Sequence, residues 1–256
     1  MSTSPFSDLR PTALTRREFL LFGAAGVATA ALLPDLAHAA GATRWGAPDP
    51  VRLTARPGTP HGVLERGLHP LGFDSPRDAL LYVPESYTAT KPATLIVALH
   101  GATQGASVMT TRLGPMADAT GAVILAPDSR GRTWDAIRGD FGADPVFIDR
   151  ALRWVFYRCA VDPSRVILGG FSDGATYALS FGLANGDLFS RVIAFSPGFV
   201  IPVQRHGKPE IFVSHGRQDP ILPIDQASRL IVPELKRAGY SVRFEEFDGG
   251  HRVAEV

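Results

Sequence analysis

A second cysteine is missing from this chain. Cys159 stands alone among 256 residues, which excludes an intramolecular disulfide and any cysteine-rich zinc site. An excess of charge is missing too. Twenty-six basic side chains face 25 acidic ones, a formal +1, so no positive field exists to draw a polyanion and no nucleic-acid partner is expected. No Gly-x-Gly-x-x-Gly, phosphate loop or His-Glu-x-x-His occurs, so no cofactor and no metal are expected. Disorder is excluded for most of the chain by 45% apolar against 20% charged residues. What is present is a chain long enough for one domain with a sizeable core, of the kind that enzymes are built on.

The longest uncharged run near the start, Phe19 to Leu33, follows Thr15-Arg16-Arg17-Glu18. As a helix its fifteen residues span ~22 Å, short of the ~30 Å hydrocarbon core, so it reads as the apolar region of a signal peptide rather than a membrane span. Ala37-His38-Ala39 places small residues where a signal peptidase needs them, with cleavage before Ala40. The segment resembles a twin-arginine export signal of a bacterium, which implies a periplasmic or extracellular protein with no stable membrane anchor after cleavage.

From Ala40 to Asp74 the text is rich in proline and glycine and reads as an extended arm with little regular structure. Strand-like apolar runs follow at Ala79–Val83, Thr94–Leu99, Ala122–Ala126, Arg165–Leu168, Val192–Phe195 and Ile211–Val213, with a more polar one at Val242–Glu245. Helical spacing appears at Phe147–Phe156, Ala175–Ala184 and Leu230–Ala238, the last interrupted by Pro233. Strand and helix in alternation predict an α/β architecture, a mostly parallel sheet flanked by helices. The chain thus divides into a signal at 1–39, an arm at 40–74 and a catalytic domain at 75–256.

Chemistry in such a sheet collects at the carboxyl ends of the strands. There the run Arg165–Leu168 leads into Gly170-Phe171-Ser172-Asp173-Gly174, a Gly-x-Ser-x-Gly turn between a strand and a helix. That turn lifts Ser172 clear of the sheet as a nucleophile. A serine hydroxyl needs a base, and the base an orienting acid, in the chain order Ser, Asp or Glu, His. His251 lies past the last strand in a glycine-flanked loop and is the preferred base. His215 reads as a packed structural histidine and His206 as a solvated one. Asp219, three residues past a strand end, is the preferred acid, with Asp225 (a helix cap) and Asp248 (a loop turn) as competitors. The tetrahedral oxyanion needs backbone donors, for which the amides of Asp173 and Ala102 are the candidates. Trp134 reads equally as an acyl-pocket wall and as core, and Asp149 as a solvated carboxylate.

The set Leu99-His100-Gly101-Ala102-Thr103-Gln104, Gly170-Phe171-Ser172-Asp173-Gly174, His215-Gly216-x-x-Asp219-Pro220 and Gly249-Gly250-His251 resembles the α/β-hydrolase fold. Within it the set is similar to the phospholipase/carboxylesterase branch, and its Leu-His-Gly-x-Thr-Gln loop also to secreted polyhydroxybutyrate depolymerases and feruloyl esterases. The resemblance implies Ser172, Asp219 and His251 as a triad, with Ala102 and Asp173 lending the oxyanion amides. Two features depart from the branch. Asp173 stands where glutamine is frequent, and five residues follow His251 where the fold usually adds a helix.

These readings converge on an exported serine hydrolase of carboxylic esters, small or polymeric. A polyester depolymerase or feruloyl-type esterase is the alternative, and a non-catalytic binding protein on the same fold is the alternative of another class. Only about ten residues, Val200 to Glu210, separate two strands where many hydrolases insert a helical lid. An open, shallow cleft and a preference for short acyl groups follow. Replacing Arg16-Arg17 by a lysine pair is expected to leave precursor in the cytoplasm, followed by immunoblot of cell fractions; unchanged export would point to the general secretion route.

Overall fold

All seven apolar runs of the sequence become strands. In this computed structural model, which describes residues 50–62, 64–73 and 76–253, they are β2 (Ala79–Val83), β3 (Ala93–Leu99), β4 (Val123–Pro127), β5 (Val161–Phe171), β6 (Arg191–Phe195), β7 (Glu210–Gly216) and β8 (Val242–Phe247). An additional strand, β1 (Gly67–Pro70), precedes them. They form one sheet in the order β1-β2-β4-β3-β5-β6-β7-β8. β1 and β2 run antiparallel to their neighbours, and β3 to β8 are parallel to one another. The expected signal and the first part of the arm lie outside the described residues.

The central strands are apolar throughout because both of their faces are covered. Leu95, Val97 and Leu99 of β3 point into a core shared with α2 (Ala143–Arg158), α3 (Asp173–Ala184) and α4 (Ser228–Arg237). Ile96 and Ala98 point to the other face, where α1 (Ala106–Thr120) contributes Met109, Met116 and Ala117. The sequence pattern gave three of these helices and not α1. Gly114-Pro115 interrupts its text and small residues make much of its buried face, so it lacks the apolar stripe that marked the others. Asp128, just past β4, accepts from the Ala106 amide at the start of α1, where a carboxylate also meets the positive end of the helix. Among the described residues no helix is long and apolar enough to cross a membrane.

The arm differs from expectation. Its residues 67–70 are a paired strand, and Val51, Leu53 and Ala55 are buried, so the folded body reaches well ahead of residue 75. Buried Asn185, just past α3, anchors it: the Asn185 side chain accepts from Leu53 N–H at 2.8 Å and donates to Val51 O at 2.9 Å and Phe181 O at 3.0 Å. Asp149, expected in solvent, instead accepts from the Thr54 and Ala55 amides at 2.7 Å each, holding the arm on α2.

The segment between β4 and α2 is held by two carboxylates. Asp135 accepts from the Gly142 and Asp144 amides at 2.9 Å. Asp144, 1% exposed, accepts from the Arg130 and Asp135 amides. Burial pushes the Asp144 carboxyl up to about 6, against the lowering effect of those two amide bonds.

Two outcomes follow. Asn185→Ala removes the side chain that bonds Leu53 N–H and Val51 O, and a loss of about 2–4 kcal/mol is expected from urea unfolding, with faster tryptic cleavage after Arg52. An unchanged midpoint would show that the arm is held elsewhere. Asp144 carries the opposite sign from a salt-bridged carboxylate. Between its ordinary pKa and about 6 the folded state holds a proton that the unfolded state has lost, so its contribution to stability falls as pH rises through that window. The stability gap between wild type and Asp144→Asn should therefore narrow by about 2–3 kcal/mol from pH 4 to pH 7. Parallel stability curves for the two proteins would refute it.

Candidate active site

Ser172 sits at the crest of the turn from β5 into α3 with φ 58° and ψ −122°, a region that a residue with a side chain rarely enters. Its neighbours explain why the turn holds. A Cβ on Gly170 would lie 2.2 Å from the Gly174 carbonyl oxygen, and one on Gly174 would lie 2.4 Å from Leu99 O and 2.5 Å from His100 O. Only glycine lets these backbones approach. The Ser172 amide donates to Phe195 O at 2.9 Å, tying the turn to β6.

His251 reaches this serine from the loop after β8. The Ser172 hydroxyl donates to His251 Nε2 at 2.8 Å, and His251 Nδ1–H donates to Asp219 Oδ2 at 2.7 Å. An ionised carboxylate only accepts, so it fixes the proton on Nδ1 and leaves Nε2 free to take one from serine. The Phe171 ring packs on the imidazole with centroids 4.9 Å apart. The loop is brought in by another close approach, since a Cβ on Gly216 would meet Gly249 O at 2.3 Å.

Asp219 is 5% exposed and well supplied with donors. Its Oδ1 accepts from the Ile221 and Leu222 amides at 2.9 Å each. Burial alone would raise its pKa, but the hydrogen bonds from His215, His251 and the Leu222 amide outweigh it and hold the carboxyl well below the usual range. His215, read from the sequence as structural, is fully buried and also points at this carboxylate. Its Nδ1 accepts from Ser228 Oγ at 2.7 Å, while Nε2–H lies 2.8 Å from Leu222 O and 3.2 Å from Asp219 Oδ2. The spacing of His215 and Asp219 around a strand end was the available signal. The competing groups stand apart: Asp225 pairs with Arg229 and Asp248 with Arg217, each at 2.7 Å, and His206 lies on the β6–β7 connection, its amide bonded to Leu183 O.

Ala102 is exposed on the loop after β3, and a Cβ on the adjoining Gly101 would lie 3.4 Å from Ser172 Cβ. Among the described residues neither the Ala102 nor the Asp173 amide donates to another group. The Asp173 carboxylate accepts from the Thr133 hydroxyl, a contact that no sequence motif marks. Trp134 does not line the cleft. It is 0% exposed, its Nε1–H donates to His100 O at 2.9 Å, and its ring packs on His100 and Tyr177, so it supports the loop from beneath. The other ring of this segment, Phe141, packs on Tyr177 and Phe181. No helix stands between β6 and β7 among the described residues. Phe199 and Ile221, 46% and 51% exposed, lie on the loops after β6 and after Asp219.

Comparison with known proteins finds esterases and hydrolases of the same fold. The model of the phospholipase/carboxylesterase family matches residues 147–256. A probable feruloyl esterase C of Aspergillus oryzae is 26% identical over 227 residues, covering 76% of this chain and 82% of that protein. The feruloyl esterase C of Emericella nidulans is 28% identical over 206 residues, 77% of this chain and 72% of its own. Among solved structures, S-formylglutathione hydrolase from Staphylococcus aureus superposes with a TM-score of 0.59 at 16% identity, over 74% of this chain and 93% of that one. A ferulic acid esterase from Anaeromyces mucronatus in complex with ferulic acid gives 0.55 at 18%, over 80% and 90%. Parallel sheet, serine turn and esterase relatives together make the chain an ester-hydrolysing enzyme with the α/β-hydrolase fold.

Proposed function

We propose that the chain is an exported hydrolase of carboxylic esters with short acyl groups, working through an acyl-enzyme. The observation that carries this reading is the unbroken relay from Ser172 Oγ through His251 to Asp219, at 2.8 and 2.7 Å. In the proposed reaction Ser172 Oγ attacks the ester carbonyl while its proton passes to His251 Nε2. Asp219 stabilises the imidazolium, and the amides of Ala102 and Asp173 receive the charge that develops on the carbonyl oxygen. Collapse breaks the ester C–O bond, and His251 returns the proton to the leaving alkoxide. Water then attacks the acyl-serine by the same route in reverse, releasing the acid.

The short-acyl part of the reading rests on the wall available. No helix stands between β6 and β7 among the described residues, and the apolar side chains exposed on the loops after β6 and after Asp219 are Phe199 and Ile221. Each further methylene is worth ~0.8 kcal/mol only where it is buried. Export, with residues 1–39 as the removed signal, rests on the arginine pair and the uncharged run.

A fluorophosphonate probe is expected to label the mature protein and to fail on Ser172→Ala; equal labelling of both would remove Ser172 from the reaction. A kcat/KM series on p-nitrophenyl esters should peak between C2 and C6, and a steady climb to C12 would overturn the short-acyl reading. Methyl ferulate belongs in the same panel because relatives are named feruloyl esterases, and a rate above that of the short esters would favour an aryl acyl group.

A further inference from the structure

The loop that carries Ala102 holds its shape through one peptide plane. In a trans peptide the C=O of Gly101 and the N–H of Ala102 point in opposite directions. Gly101 O is gripped from within the protein, by His100 Nδ1–H at 2.7 Å and by the Gln104 amide at 3.2 Å. The Ala102 N–H therefore points away from that grip, while Gly101 lies against the serine, a Cβ there meeting Ser172 Cβ at 3.4 Å.

That grip needs the His100 proton on Nδ1. His100 is fully buried, and burial pushes its pKa below the usual value, favouring the neutral ring. Its Nε2 accepts from the Ser129 amide at 3.0 Å, which leaves that nitrogen no room for a proton of its own. Ser129, just past β4, is in turn held by Arg77, which comes from the segment before β2. The guanidinium donates through Nε to Ser129 O, and through Nη2 to Ser129 Oγ at 3.1 Å and Gln104 O at 3.3 Å. The same Nη2 lies 3.4 Å from His100 Nε2, a second donor facing that nitrogen. A planar guanidinium meets these groups at once, which a lysine ammonium does not.

We propose that Arg77 is a positioning residue for the ester-hydrolysing reaction, acting through Ser129 and His100 to aim the Ala102 amide at the developing oxyanion. The inference rests on Ser172 and the Ala102 amide having the roles proposed above. Arg77 touches no reacting atom, and its contribution is realised only where charge on the carbonyl oxygen builds up. Its removal should therefore lower kcat with little effect on KM.

The test compares wild type, Arg77→Met and Arg77→Lys on p-nitrophenyl butyrate and against a short alkyl trifluoromethyl ketone. That ketone mimics the tetrahedral state: Ser172 Oγ bonds to its carbonyl carbon, the hydroxyl proton passes to His251, and the ketone oxygen takes the negative charge. Since loss of a whole oxyanion donor costs ~10²–10³ in kcat, misaiming one in Arg77→Met should cost roughly 10- to 100-fold. KM should stay within about threefold, and the ketone Ki should rise by a factor similar to the fall in kcat/KM. Arg77→Lys should recover part of both losses. A fall in kcat with unchanged ketone Ki, or both values within twofold of wild type, overturns the proposal. Should Arg77→Met fail to fold, Arg77→Lys carries the same comparison, and histidine-selective ¹⁵N NMR of the wild type must show His100 as the Nδ1–H tautomer at pH 7. An Nε2–H tautomer or an imidazolium there overturns it equally. If the ketone does not inhibit wild type and Ser172→Ala keeps its activity, the proposed roles have failed instead, so the two failures are distinguishable.

Discussion

Between the end of β5 and the start of α3 the backbone passes so close to itself, and to the end of β3, that two positions have no space for a methyl group. The packing of Gly170 on the Gly174 carbonyl, and of Gly174 on Leu99 and His100, joins the serine turn and the loop after β3 into one unit. Ser172 is left in strained backbone at the apex, a conformation costing of order 1–3 kcal/mol that persists only because the surroundings determine it. The serine and both candidate oxyanion amides therefore have relative positions set by main-chain contact.

The remaining partner, His251, has no such rigid seat. It stands on a loop, and its orientation comes from the carboxylate it meets. Asp219 takes two backbone amides on one oxygen and two histidines on the other, so all its acceptor positions face donors. A buried carboxylate supplied in this way is held in its ionised form, able only to accept, and so fixes the imidazole it meets. His215, itself pinned by Ser228 and Leu222, helps hold that carboxylate still, which explains why an apparently structural histidine ends the same strand.

How much of this was legible follows from where the information lies. Buried parallel strands write themselves as apolar runs, and the serine turn writes itself as two glycines in fixed places, so sheet and turn could both be read. Chain order and strand ends point to Asp219 and His251, and the fold brings this pair together from 32 residues apart. α1 was missed because its buried face is made of alanine, methionine, threonine and glycine rather than an aliphatic stripe. The arm was misjudged because its burial depends on Asn185 and Asp149, partners more than ninety residues away that no local pattern names. Trp134 was ambiguous for a related reason. An indole reads alike in a pocket wall and under a loop until the acceptor of its N–H is known, and here that acceptor is the His100 carbonyl.

The carboxylate beside the nucleophile raises the last question of consistency. Two negative charges about 5 Å apart at an effective dielectric near 20 repel by roughly 3 kcal/mol, so a free carboxylate at Asp173 would oppose the oxyanion that its own amide is proposed to receive. The fold turns the side chain the other way. Asp173 takes the hydroxyl of Thr133, a residue almost fully buried, so its charge faces the segment beneath the loop. It also lies in the first turn of α3, where the helix dipole favours a negative charge. The segment that supplies Thr133 also supplies Trp134 to His100 O, the Arg132 carbonyl to the Thr103 amide at 2.7 Å and the Ser129 amide to the His100 ring. One stretch after β4 thus gives the Asp173 carboxylate a donor and also supplies the amide that meets the His100 ring. The Asp173 carboxylate beside the serine is thereby engaged by the protein itself, through Thr133 and the start of α3.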